Sequence, residues 1–63
     1  GRPVYRVELA PTEGATLNWL YEEAEILKRE ESEDGHIALT VRLSPDKEAR
    51  LTRRCPGARR VAA

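Results

Sequence analysis

A two-layer α+β domain of order β-α-β-β-α is what this sequence predicts, with a three-stranded mixed sheet in the order 1-3-2 and two helices on one face. Three observations predict it. From His36 to Leu43 the residues alternate, with Ile37, Leu39, Val41 and Leu43 on one side and His36, Ala38, Thr40 and Arg42 on the other, the pattern of a half-covered strand. Asp34-Gly35 is the strongest local turn signal and joins that strand to a preceding one as a hairpin. Leu17, Leu20, Tyr21 and Ala24 recur at spacings of three and four, a helical stripe suited to lie on the sheet.

The first strand is read at Val4 to Leu9, where Tyr5, Val7 and Leu9 alternate with Val4, Arg6 and Glu8. Pro3 and Pro11 bracket it, as befits residues that cannot donate to a sheet ladder. Thr12 is the better side-chain cap for a first helix over Ala15 to Glu25, with Gly14 the alternative, and Glu13 suits the positive end of its dipole. Trp19 lies beside the apolar stripe and has two readings, a packing residue at the helix margin or an exposed anchor for a partner. A second strand follows at Ile26 to Glu31. Its run Lys28-Arg29-Glu30-Glu31 belongs at a sheet edge, where charge discourages pairing with another chain. That places the alternating strand, His36 to Leu43, in the middle. Ser44-Pro45 opens a second helix, with serine as cap and proline at its first position, and Leu51 is its main core contact. Cys55-Pro56-Gly57 stops it. The chain thus reads as one small domain over 1–63, ordered over about 4–55, with 56–63 a flexible tail.

Composition narrows the classes. With a single cysteine, Cys55, no internal disulfide can form, which points to a reducing, cytoplasmic compartment. No apolar run approaches the roughly 20 residues needed to cross a bilayer, and Gly1 to Arg6 has no signal-peptide core. The chain contains no methionine, which suggests a piece of a longer polypeptide. Eleven basic residues balance eleven acidic ones, but unevenly. Glu13 to Asp34 holds eight acids against Lys28 and Arg29, whereas the stretch from Ser44 onward holds six bases against Asp46 and Glu48.

Residue by residue, the sequence offers no catalytic or metal motif. The four glycines do not form a phosphate-binding loop, so no nucleotide site is encoded. His36 and Cys55 are too few for a zinc site, and Glu30 to Gly35 lacks the spaced register of a calcium loop. His36 reads as a solvated residue beside the turn, and Cys55 as a small residue at a helix end with no third group to make it a nucleophile. The basic cluster is the main candidate contact. Arg50 shares a helix face with Arg53 or Arg54, and Lys47 lies one turn earlier, an array that phosphates could meet. The alternative is a solvated helix face.

From Val7 to Leu51 the sequence resembles the small C-terminal domain of HflX-family GTPases. The likeness is carried by Gly14-Ala15 leading to Leu17-Asn18-Trp19-Leu20-Tyr21, by Glu25-Ile26-Leu27, by Glu33-Asp34-Gly35, and by Leu39-Thr40-Val41-Arg42-Leu43-Ser44-Pro45. Arg53-Arg54-Cys55-Pro56-Gly57-Ala58-Arg59-Arg60 falls outside it. The resemblance implies a parent that hydrolyses GTP with magnesium and associates with the large ribosomal subunit. Its phosphate loop and magnesium ligands would lie in a G domain, so no catalytic residue, GTP site or Mg2+ site carries over to this chain. The expected role is an accessory docking domain that is not itself an enzyme. Its partners would be the parent G domain and ribosomal protein or rRNA, with no membrane and no DNA, and its contact residues Lys47, Arg50, Arg53, Arg54 and Trp19. The alternative is a purely structural domain that orients the G domain without touching the ribosome.

Overall fold

The computed structural model describes residues 1–62. Four strands and two helices follow one another as β1 (Val4–Leu9), α1 (Gly14–Glu23), β2 (Glu25–Glu31), β3 (Ile37–Arg42), a single 3-10 turn at Pro45–Lys47, α2 (Glu48–Arg54) and β4 (Arg59–Ala62). The sheet order is β2-β3-β1-β4, and every hydrogen-bonded pair is antiparallel. The expectation of a three-stranded mixed sheet in the order 1-3-2 is therefore corrected. The alternating strand does sit between β1 and β2, but a fourth strand lines the far edge of β1.

That fourth strand arises where the sequence predicts a flexible tail. Arg59-Arg60-Val61-Ala62 has no apolar alternation, and all four residues are exposed, so hydrophobic patterning could not announce it. Backbone pairing makes it instead, with Arg59 opposite Arg6, Arg60 opposite Tyr5 and Ala62 opposite Val4. Ala63 lies outside the described residues.

One apolar layer holds the two faces together. Tyr5, Val7 and Leu9 of β1, Leu39 and Val41 of β3 and the following Leu43 meet Leu20 of α1, Leu51 of α2 and Cys55. Leu20, Leu39, Val41 and Leu51 are wholly inaccessible to water. The covered side of β3 is the one its alternation indicates. Removing any of these leucines would leave a cavity costing about 2–5 kcal/mol, a large share of what so small a domain has. Tyr21, expected in the buried stripe of α1, is instead 48% exposed. Its hydroxyl accepts from Arg29 Nη1 at 3.0 Å, and the guanidinium lies 5.9 Å from the ring centroid. The β2 edge strand thus draws the ring outward.

Element ends differ from expectation for local reasons. Neither Thr12 nor Gly14 caps α1; the cap position is Glu13, whose carboxylate folds back to accept the Ala10 N–H at 2.8 Å and so closes the turn after β1. α1 ends at Glu23 rather than Glu25 because Ala24 turns extended and Glu25 enters the ladder opposite Arg42. Ser44 makes no side-chain cap, and Pro45 opens the 3-10 turn that leads into α2. Both edge strands carry a bulge, between Ile26 and Lys28 in β2 and opposite Val4/Tyr5 in β4, irregularities that discourage edge-to-edge pairing.

The β2–β3 hairpin closes through Gly35 N–H to Ser32 O at 3.0 Å and Ser32 N–H to His36 O at 2.9 Å. Asp34 accepts from the Ser32 hydroxyl and, at 3.2 Å, from the His36 N–H, and these donors hold its carboxyl at a pKa of about 2. Gly35 has φ +89°, and a Cβ there would stand 3.1 Å from the Pro11 ring. Gly35→Ala is therefore expected to lower stability by about 1–2 kcal/mol, through left-handed backbone and the clash together. Urea denaturation would measure it, and an unchanged midpoint would contradict the assignment.

β4 is fastened by side chains as well as by the ladder. The part-buried Tyr5 hydroxyl donates to Glu48 Oε2 at 2.6 Å, and Arg60 Nη1 reaches the same oxygen at 3.6 Å. Strand β1, helix α2 and strand β4 meet at that carboxylate. The bond to Glu48 first, and burial second, raise the Tyr5 phenol above its ordinary value. The folded state thus holds this proton more tightly than the unfolded chain. Its stabilisation is complete below the unfolded value of about 10 and is lost as pH rises through the folded one. Tyr5→Phe should cost about 1 kcal/mol at neutral pH and remove part of the alkaline loss of stability, read from denaturation midpoints on either side of about pH 10.

Candidate functional site

Charge on the outside of this scaffold is mostly satisfied internally, which singles out the side chains that are not. On the uncovered sheet face Glu25 binds Arg42 at 2.7 Å and Arg2 at 3.6 Å, while Glu30 lies 3.8 Å from Arg6 and 3.9 Å from Lys28. The Arg6 contact spans β3, whose Ala38 and Thr40 are short there. On the helix side, Lys47 Nζ meets Glu23 Oε1 at 3.3 Å and donates to the Glu23 carbonyl at 3.2 Å. Lys47, expected among the outward contacts, is therefore half-buried and used to tie the end of α1 to the start of α2.

The remaining expected contacts lie on α2 and beside it. Arg50 and Arg53, three residues apart on one helix side, are exposed and make no ion pair among the described residues. Arg54 lies over the Trp19 ring with its guanidinium carbon 5.1 Å from the centroid. Trp19 is itself partly buried against the core. The structure thus joins Arg54 to Trp19, leaves Arg50 and Arg53 projecting from the same short helix, and takes Lys47 away. The pairing of Arg54 with Trp19 spans α2 and α1, so no spacing along the chain could reveal it. Read from the sequence, Arg59 and Arg60 belong to a flexible, arginine-rich tail outside the resemblance; β4 gives them opposite faces, Arg60 toward Glu48 and Arg59 toward the uncovered side.

Among the described residues, no hydroxyl or thiol is hydrogen-bonded to the imidazole of His36. A hollow of about 420 Å³ on the uncovered face is bordered by Glu30, Ser32, His36 and Ala38 among others. Ser32 and His36, at its rim, both meet the Asp34 carboxylate, in an order that does not activate the serine. Its hydroxyl donates to the Asp34 carboxylate, and His36 Nδ1 lies 3.1 Å from the same carboxylate oxygen, so the imidazole does not stand between hydroxyl and acid as a general base must. Cys55 is in the core, where burial pushes its thiol pKa up and keeps it protonated. Among the described residues no group of three or more His, Cys, Asp and Glu could hold a metal ion, and no helix is long and apolar enough to cross a membrane.

The stacking of Arg54 on the only tryptophan gives a direct readout. Arg54→Ala should shift Trp19 emission to the red as the ring gains water, with a stability loss of about 0.5–1 kcal/mol. Arg50→Ala should leave the spectrum unchanged. A blue shift, or none, in Arg54→Ala would contradict the stacked geometry.

The model of the HflX C-terminal domain family matches residues 4–62, through the arginine-rich end that the resemblance left outside. No curated protein and no solved structure matches the chain. With sheet, both helices and the closing strand all inside the matched span, the chain belongs to the HflX C-terminal domain family.

Proposed function

We propose that this chain is the accessory docking domain of an HflX GTPase, non-catalytic by itself, which helps place its parent on the large ribosomal subunit in the cytoplasm. Membership of a GTPase family supports the first part. The sequence has no phosphate-binding loop, so GTP and Mg2+ are assigned to the parent's G domain. The G domain is then one partner and the ribosome the other.

The observation that carries docking is the unpaired guanidinium pair Arg50 and Arg53 beside Arg54 on α2. Every other basic side chain on the helix side has a carboxylate: Lys47 has Glu23, Arg29 has Glu31 and Arg60 has Glu48. Arginines outside any close ion pair, presented together, suit phosphate oxygens, which accept two parallel N–H bonds from each fork. No aromatic face is free beside them, since Arg54 covers Trp19, so such contacts would position the domain without reading bases.

Ribosome association of the chain, compared with neutral control particles, tests this. Changing Arg50, Arg53 and Arg54 to Ala should weaken binding and lower the salt slope by about one for each phosphate no longer neutralised. Absence of ribosome affinity, or affinity unaltered by the three changes, would remove the RNA contact. Removing the domain from its parent separates the remaining reading: unchanged ribosome affinity with altered GTP turnover would make it a support for the G domain alone.

A further inference from the structure

A second pair of arginines lies on the other face of the sheet. The β1–β4 register sets Arg6 directly opposite Arg59, and because Arg6 alternates with the buried Tyr5 and Val7, both side chains belong to the uncovered face. Like charges opposed across an antiparallel pair are unfavourable unless something of opposite charge meets them. Little in the domain does. Arg6 has only Glu30, at 3.8 Å and shared with Lys28, and Arg59 makes no ion pair among the described residues. The two arginines border a hollow of about 170 Å³ with Glu8 and Gly57, and Gly57 leaves the space beside its Cα open. Glu8 lies within 4 Å of neither guanidinium, so the hollow keeps an excess of positive charge.

This hollow continues toward α2. An adjoining one is bordered by Arg54, Glu13 and the loop after α2, and it shares Glu8 and Gly57 with the first. Arg54 borders the second hollow and the Arg6–Arg59 pair the first, with Glu8 common to both and Glu13 beside Arg54 in the second, so the excess of positive charge is confined to the Arg6–Arg59 end. Neither hollow is lined by an aromatic residue, which leaves no platform for stacked bases.

We propose that Arg6 and Arg59, opposed across β1 and β4, form a second seat for the phosphate backbone of an RNA, on the sheet face away from Arg50 and Arg53. The identity of the polyanion rests on the ribosome-docking reading; the pairing of the arginines does not. Binding is independent of base sequence, and Glu8 opposes it.

The test is fluorescence anisotropy of a labelled uridine oligonucleotide with the full chain at several salt concentrations, with inorganic phosphate as a separate probe. Arg59→Gln and Arg6→Gln should each weaken oligonucleotide binding several-fold and lower the salt slope by about 0.7, the single-strand value for one phosphate. Glu8→Gln should tighten it, and Arg59→Lys should keep most of the affinity. Arg59 is exposed on an edge strand, and its variants are compared well below their melting transitions. If Arg59→Gln and Arg6→Gln bind as the unaltered chain does while Arg50→Ala and Arg53→Ala bind less, the second seat is refuted and the α2 contact stands. If the first pair weakens binding and the second does not, the seat stands and the α2 contact fails. Phosphate binding that depends on Arg59 without any effect on the oligonucleotide would make this a free-anion site and overturn the proposal.

Discussion

Leu39 and Val41, at the centre of the sheet and wholly inaccessible to water, join the two layers. Their strand is hydrogen-bonded on both sides, to β1 and to β2, and its apolar face meets leucines from both helices. A domain this small has room for one such layer only. Burying one face leaves the other to water, and Ala38, Thr40 and Arg42 on that side are accordingly small or polar. The uncovered face and its arginines follow from the same alternation that makes the core.

Closure at the C-terminal side has a different physical basis. β4 contributes no residue to the buried core, so its place depends on backbone bonds to β1 and on the Glu48 carboxylate shared by Tyr5 and Arg60. Tyr5 is the hinge of this arrangement: its ring is part of the core, and its hydroxyl reaches the first residue of α2. The strand that rests on this contact also sets Arg59 against Arg6. A polar clasp thereby governs both the sheet's outer edge and the charge it presents.

The charged surface divides by whether a side chain finds a partner. Lys47 shows how strongly tertiary context decides: on the helical pattern it belongs with Arg50 and the arginines beyond, yet it spans to Glu23 and fastens α1. Arg54 is drawn over an indole. What stays exposed without an ion pair among the described residues is a smaller set than the sequence count of basic residues, and Arg59 in it faces the opposite way. Exposed ion pairs, such as those of Glu25 and Glu30 on the uncovered face, contribute little to stability, usually below about 1 kcal/mol each.

Local chemistry was enough to reveal the strands β1 to β3, the hairpin at Asp34-Gly35, the charged edge strand and the covered side of β3, because each is written in a period of two or in a turn residue with a single preferred geometry. The family likeness was legible in α1 and in parts of the stretch from Glu25 to Pro45. Helix ends were less so: Glu13 turns its carboxylate back on Ala10, and Ala24 leaves the helix because Glu25 has a partner in β3. The outward turn of Tyr21, the use of Lys47, the cover on Trp19 and the whole of β4 belong to the tertiary structure. Each depends on a residue distant in the chain, Arg29, Glu23, Arg54 or the edge of β1, and an exposed strand held by backbone bonds leaves no hydrophobic period to be read.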